Sequence, residues 1–294
     1  MKNYCLILSL LFVLQGKTQR VYADHSVLAS GNWVKLGITQ EGVYKIDAPT
    51  LSALGLVSGP INASSIRLFG NGGAMLPESN AVPRPDDLLE NAIEVVDGGD
   101  GIFNNNDYLL FYAPGPNQWL KDNSTQRFIH QKNLYSDTAY YFISISGTGK
   151  RIALQPTLTG NPGKTVQTYQ EHQFLESDTY SLLNSGKQWY GESFNSNGIG
   201  TLNKTFAFNW PASASGANTF FRSALAAQSI GSNSSFKVQV AGQSIPDINI
   251  PSVSGYFLDA YAQDASTGNG MGVPINIAAN NTKVYRHSIY FSTG

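Results

Sequence analysis

Ile66-Arg67-Leu68-Phe69-Gly70-Asn71-Gly72-Gly73-Ala74-Met75-Leu76-Pro77-Glu78 decides how the chain is read. A β-branched and aromatic run of strand character enters three closely spaced glycines. Glycines in that position permit positive φ and let one backbone approach another closely. A phosphate-binding loop would continue into a helix whose N-terminus meets the anion. Here Pro77, Pro83 and Pro85 follow instead. The stretch therefore reads as a strand leading into a tight structural loop.

The same grammar extends in both directions. Upstream, Trp33-Val34-Lys35-Leu36 and Val43-Tyr44-Lys45-Ile46 flank a turn at Gln40-Glu41-Gly42, which predicts a hairpin. Asp47 is placed to cap a short helix, with Pro49 in its first turn and Gly55 at its end. Downstream, residues 93–96, 108–112 and 140–145 carry further strand patterns. Glycines and prolines concentrate between 147 and 168 and mark a domain boundary. Beyond it, 179–185 reads as a second short helix ending at Gly186. Residues 205–210, 220–226, 235–240 and 284–291 read as strands. The expected fold is mainly β, in two β-rich domains. Residues 24–160 form an N-terminal β domain with a short helix, and 165–294 form a β-sandwich or jelly roll. The chain stops in a strand pattern at Tyr290-Phe291-Ser292-Thr293-Gly294, so that second domain reads as truncated.

Composition narrows the class. Net charge is −1, and the 19 basic residues are scattered, which argues against nucleic acid as a partner. Charged residues make up only 13% of the chain, in keeping with an exported β-rich protein. Lys2, the apolar run over 6–14 and Val21-Tyr22-Ala23 predict a signal peptide over 1–23, cleaved between Ala23 and Asp24. The run is too short for a stable membrane span, and no later stretch is long and apolar enough for one. Cys5 is the chain's single cysteine, so residues 24–294 contain no thiol.

Few side chains suggest chemistry. Asp97-Gly98-Gly99-Asp100-Gly101-Ile102-Phe103-Asn104-Asn105-Asn106-Asp107 is a candidate calcium loop through Asp97, Asp100, Asn104 and Asp107. With Gly101 as the sixth position, Val96 and Gly98 fall on positions one and three, where side-chain oxygens are needed. A turn between strands 93–96 and 108–112 is the simpler reading, and no other cofactor is indicated. His130 and Asp137 resemble catalytic partners, but no Gly-x-Ser-x-Gly elbow accompanies them; Gly191-Glu192-Ser193-Phe194-Asn195 departs from it. His130 is better read as buried and hydrogen-bonded. His25, His130, His172 and His287 have no metal-site spacing. Asp86-Asp87 and Glu90 read as solvated carboxylates, with no basis for a catalytic acid pair.

Together these stretches resemble the N-terminal region of the type IX secretion system sortases, gingipain-like cysteine peptidases of Bacteroidota. The resemblance runs from Trp33-Val34-Lys35-Leu36 and Glu41-Gly42-Val43-Tyr44-Lys45-Ile46-Asp47 through Ile66-Arg67-Leu68-Phe69-Gly70-Asn71-Gly72-Gly73. It continues in Pro83-Arg84-Pro85-Asp86-Asp87-Leu88, Glu90-Asn91-Ala92-Ile93 and His130-Gln131-Lys132-Asn133-Leu134-Tyr135-Ser136-Asp137. It ends in Leu182-Leu183-Asn184-Ser185-Gly186-Lys187-Gln188-Trp189-Tyr190-Gly191-Glu192. The ordered succession is specific although each motif alone is weak. From about residue 200 onward only a general β pattern remains.

The resemblance implies a place at the cell surface, associated with the outer membrane. It implies other type IX outer-membrane components and cargo proteins as partners. Such sortases remove C-terminal secretion signals from cargo and attach many cargoes to anionic lipopolysaccharide. A cysteine thiolate attacks the peptide carbonyl, and a histidine manages the protons. Their peptidase domain lies C-terminal to the matched region, so this chain is expected to be a non-catalytic part, inactive alone. The competing reading is a secreted, non-enzymatic binding module, carbohydrate-binding or adhesin-like, using aromatics such as Trp119, Trp189 and Trp210.

Overall fold

A computed structural model describes residues 22–293, except 125–126, 158, 162, 168, 170–171, 182–183, 185, 187–188, 195–201, 208–217, 241–242, 245, 256–259, 270–273 and 280–287. Residues 1–21, most of the expected leader, and His287 and Trp210 therefore lie outside the described residues. The fold is mainly β, as expected, built of antiparallel sheets with one short α-helix among the described residues. Two compact units form. One takes residues up to Pro116 and Tyr135–Leu154, and the other takes Asn117–Leu134 and Gln155–Gly294. Residues 117–134, which a linear division at 160–165 assigns to the first domain, thus cluster with the second unit.

In the first unit the strands are β1 (Val34–Ile38), β2 (Gly42–Asp47), β3 (Ile61–Asn62), β4 (Ile66–Phe69), β5 (Glu90–Asn91), β6 (Glu94–Val96), β7 (Ile102–Phe103) and β8 (Tyr108–Ala113). After β9 (Gln118–Asp122) and β10 (Arg127–Gln131) of the second unit, β11 (Ala139–Ile145) completes the set. Sheet order is β1-β11-β4-β5 in one sheet, β2-β8-β6 in another, and β3 with β7 in a third. Alternation along β8 and β11 turns Leu109, Phe111, Ala139, Tyr141 and Ile143 into one core with Ile66, Leu68 and Leu51. Burial of these apolar side chains is the main stabilising term.

Helix α1 (Ala48–Ala53) is the one the sequence predicts. The Asp47 carboxylate accepts from the Thr50 N–H at 2.9 Å, Pro49 sits in the first turn, and Gly55 has φ +75°. The Thr50 side chain, and after it this N–H, hold the Asp47 carboxyl below its ordinary range. β6 and β8 pair antiparallel, as the turn reading of 97–107 requires, and within that connection β7 pairs with β3.

The predicted β1–β2 hairpin does not form. β1 pairs with β11 and β2 with β8, so the turn at 39–41 carries the chain from one sheet to the other. Tertiary packing decides it. Backbone at Gly115 presses on this connection, where a Cβ would lie 2.8 Å from Glu41 N and 3.0 Å from Gln40 C. The Tyr44 hydroxyl donates to Gln40 O at 2.7 Å.

In the second unit β9 pairs with β10. A four-stranded sheet runs β12 (His172–Glu176), β20 (Ser288–Thr293), β14 (Asn218–Ala227), β18 (Ala260–Asn269). Another runs β13 (Asn203–Ala207), β19 (Pro274–Ala279), β15 (Ser234–Val240), β16 (Gln243–Ser244), and β17 (Ile248–Ile250) also pairs with β15. The last strand, β20, is paired on both sides. The predicted helix over 179–185 is absent among its described residues. Tyr180 instead bridges to Tyr190, whose carbonyl accepts from the N–H groups of Thr179 and Tyr180. Positive φ at Asn184 and Gly186 bends the chain back to make that bridge.

Candidate functional site

The glycine-rich loop after β4 organises a polar region of the first unit. Gly70 and Gly73 are required by contact. A Cβ on Gly70 would lie 2.8 Å from Cε1 of the buried Tyr141 ring. One on Gly73 would lie 2.5 Å from Ala139 Cβ and collide with the Gly115 carbonyl oxygen. The backbone is thereby fixed, and Asn71 projects from it as a clamp. Its Nδ2 donates to Asp87 O at 3.0 Å and its Oδ1 accepts from Leu89 N at 2.9 Å.

That clamp presents three carboxylates, those of Asp86, Asp87 and Glu90. Asp86 Oδ2 accepts from Ala23 N at 2.9 Å. Asp87 accepts from Ser26 Oγ at 2.8 Å and from Val27 N at 2.6 Å. These donors hold the Asp87 carboxyl below its ordinary range, the Val27 N–H contributing most. Ser26 also caps the 3-10 turn Val27–Ala29, and Trp33 packs edge-on against Phe69 at 5.3 Å. Residues 22–33 thus form a strap tied to the loop at several points. Asp86 and Asp87, read from sequence as solvated, are its anchors. Nothing local marks that role, because the partners lie about sixty residues away.

Glu90 closes the other side. It takes a two-pronged hydrogen bond from Arg67, Nε at 3.2 Å and Nη2 at 2.8 Å, and a third from Lys150 N at 2.9 Å. Arg151 then donates to Ile66 O at 3.1 Å and Ala63 O at 2.6 Å. The Arg67 fork holds the Glu90 carboxyl below its ordinary value of 4.5. A depressed folded pKa contributes stability that is complete above the unfolded value and lost as pH falls through the folded one. Glu90→Gln is therefore expected to cost roughly 1 kcal/mol at neutral pH. In thermal melts the gap from wild type should shrink as pH drops below 4.5. A gap that stays constant to strongly acid pH would show that the ion pair is not its source.

The calcium-loop residues are occupied locally. Asp97 accepts from Gly99 N at 3.0 Å, Asp100 from Ile102 N at 2.8 Å and Asp107 from Asn104 N at 2.7 Å. Among the described residues no three of His, Cys, Asp and Glu converge as a metal-binding group.

His130 lies in the second unit's β10 and Asp137 in the first unit. His130 is buried, its ring stacked on Phe174 at 3.6 Å and tilted against Trp119 at 4.9 Å. Its Nδ1 lies 3.5 Å from Glu176 Oε2, and Lys132 pairs with Asp178 at 2.5 Å. His172 packs on Trp119 at 4.3 Å and Phe128 at 5.1 Å. These contacts fasten the β9–β10 hairpin to β12. The stretch 191–194 of the near-elbow has no regular secondary structure, and burial raises the Glu192 carboxyl. Among the described residues, neither candidate region brings a nucleophile to a base.

The structure is similar to that of dimeric latent PorU from Porphyromonas gingivalis, at 25% identity and a TM-score of 0.68. The match covers 92% of this chain and 25% of that one, so the chain spans about a quarter of the other's length. The chain thus has the fold of a PorU-like N-terminal region, as its motifs indicate. Two Listeria monocytogenes structures overlap too loosely to carry an argument. An uncharacterized protein has 10% identity over 89% of this chain and 19% of its own, with a TM-score of 0.27. A cycloalternan-forming enzyme in complex with a pentasaccharide has 9% identity over 60% and 14%, with a TM-score of 0.22. No family model and no curated protein matches.

Proposed function

We propose that the chain is the N-terminal, non-catalytic part of a type IX secretion sortase, exported by cleavage before Asp24 and held at the outer-membrane surface. The observation that carries this reading is the PorU likeness over 92% of the chain. In the whole sortase the chemistry is removal of C-terminal secretion signals from cargo and transfer of cargo to anionic lipopolysaccharide. This part supplies a rigid β scaffold whose loops meet cargo and other type IX components. Residues 24–294 contain no cysteine, so the thiolate is not drawn from them.

The aromatic binding-module reading gains no support from Trp119. Trp119 is packed by His130, His172 and Phe174, and the Trp189 indole donates to Gly186 O at 3.0 Å. A ring packed as Trp119 is does not offer a flat sugar platform, and Trp210 lies outside the described residues.

Expressed in a type IX-secreting bacterium, the exported chain should be labelled by a membrane-impermeant reagent. It should also crosslink to outer-membrane components of that system. Purified, it should not cleave a cargo signal peptide above a no-protein control. Turnover would sink the non-catalytic assignment, and retention inside the cell would sink the surface placement.

A further inference from the structure

We propose that Asp86 is the docking site for the amino terminus created by leader removal, so that cleavage exchanges an amide donor for an ammonium ion on one carboxylate. The inference rests on the cleavage position in the proposed function. Hydrolysis of the Ala23–Asp24 peptide bond adds one water. The Ala23 carboxylate leaves with the leader, and Asp24 gains an α-ammonium. The donor now on Asp86 Oδ2, Ala23 N at 2.9 Å, departs in that step. The next backbone nitrogen belongs to Asp24. Consecutive Cα atoms are about 3.8 Å apart, so the new ammonium starts within a side-chain rotation of the vacated oxygen.

The neighbouring anchors keep it there. Asp87 spends both oxygens downstream, Oδ1 on Ser26 Oγ and Oδ2 on Val27 N. Those bonds do not involve the leader and survive cleavage. The free end is then a tether of two residues, Asp24 and His25, ahead of a fixed Ser26. On the loop side, Asn71 holds the backbone at Asp87 and Leu89. The two carboxylates thus divide the work: Asp87 holds the strap and Asp86 holds its end. The other charged groups on the two stretches are Asp24 and His25 on the strap and Glu78 and Arg84 on the loop. The Asp24 and Asp87 carboxylates add to the attraction for an ammonium, whereas Arg84 and protonated His25 oppose it.

An ammonium so placed titrates above the ordinary α-amino value of about 7.7–8.0. The sign follows from the raised folded pKa. Its contribution is complete below the unfolded value and disappears as pH rises through the folded one. An uncleaved chain, which offers Asp86 an amide N–H, has no such transition.

The test uses the full exported chain recovered from cells. Mass spectrometry reads its first residue, and NMR of the 13C-methylated α-amine reads its pKa. The terminus is expected at Asp24, with a pKa roughly half a unit to one unit above the ordinary value. Asp86→Asn should return it to ordinary, while Asp100→Asn, a surface carboxylate elsewhere, should leave it raised. A terminus other than Asp24 overturns the cleavage reading and the docking with it. An Asp24 terminus with an ordinary pKa, or one unchanged by Asp86→Asn, overturns the docking alone.

Discussion

Gly73→Ala is expected to destabilise the first unit by about 2–4 kcal/mol, visible as a drop of many degrees in its melting transition. The reason is contact, not helix or strand propensity. The added methyl would lie 2.5 Å from Ala139 Cβ and 2.7 Å from the Gly115 carbonyl carbon. Neither neighbour is the flexible end of a side chain. Ala139 is on β11 at the core, and Gly115 is itself pressed against the 40–41 connection. Relief therefore requires the loop, the β8 exit and the sheet crossover to shift together. Two controls separate this cause from the general loss of a glycine. Gly59→Ala has open space at an ordinary φ and should change little. Gly98→Ala has open space but φ +69°, so it should show only the backbone cost of about 1 kcal/mol. Circular dichroism melts of the three variants rank them. A Gly73→Ala melt within two degrees or so of wild type would overturn the packing account.

These glycines also show which features could be read from sequence and which could not. Gly70 to Gly73 was legible because Gly-rich sequence after a strand has few physical uses, and the following prolines remove the anion-binding one. Helix α1 was legible for the same kind of reason: Asp47, Pro49 and Gly55 act within one turn of themselves. The β1–β2 connection has equally good turn residues, yet the strands join different sheets. A turn fixes where a chain reverses but not which strand it meets, and the partners here, β11 and β8, lie far along the chain. At 179–185 the competitor was Tyr190, whose pairing with Tyr180 outweighs weak local helix preference. Asp86 and Asp87 fail as sequence signals because adjacent acids are usually solvated. Only the folded loop brings them to the 22–27 strap. The burial of His130 was legible, while Phe174 and Glu176, which pack against it from another strand, were not.

Phe111→Ala should cost about 3–5 kcal/mol, whereas Tyr112→Phe, one position along the same strand, should stay within roughly 1 kcal/mol. Successive strand residues face opposite sides of a sheet, so the register of β8 makes this contrast. Phe111 is fully buried between Tyr44 at 5.7 Å and Tyr141 at 5.8 Å, in stacked and tilted geometries. Removing it leaves a cavity and deletes both ring contacts, each worth about 0.5–1.5 kcal/mol beyond area burial. Tyr112 is 53% exposed and pairs with Val43 across the strand, its hydroxyl bonded to the Glu41 carboxylate. Loss of that exposed bond is compensated by water. Tyr141 provides an independent gauge of the cavity. Its phenol is pushed up to about 12 by burial, and its hydroxyl donates to Pro114 O at 3.3 Å. Water entering the space left by Phe111 would relieve that desolvation and bring the phenol down towards 10. Ultraviolet titration of Phe111→Ala should therefore show one tyrosine ionising earlier than in wild type, under conditions where the variant is still folded. Equal destabilisation by the two substitutions would mean that β2 and β8 are paired one residue out of the register described here, with the aromatic stack facing solvent.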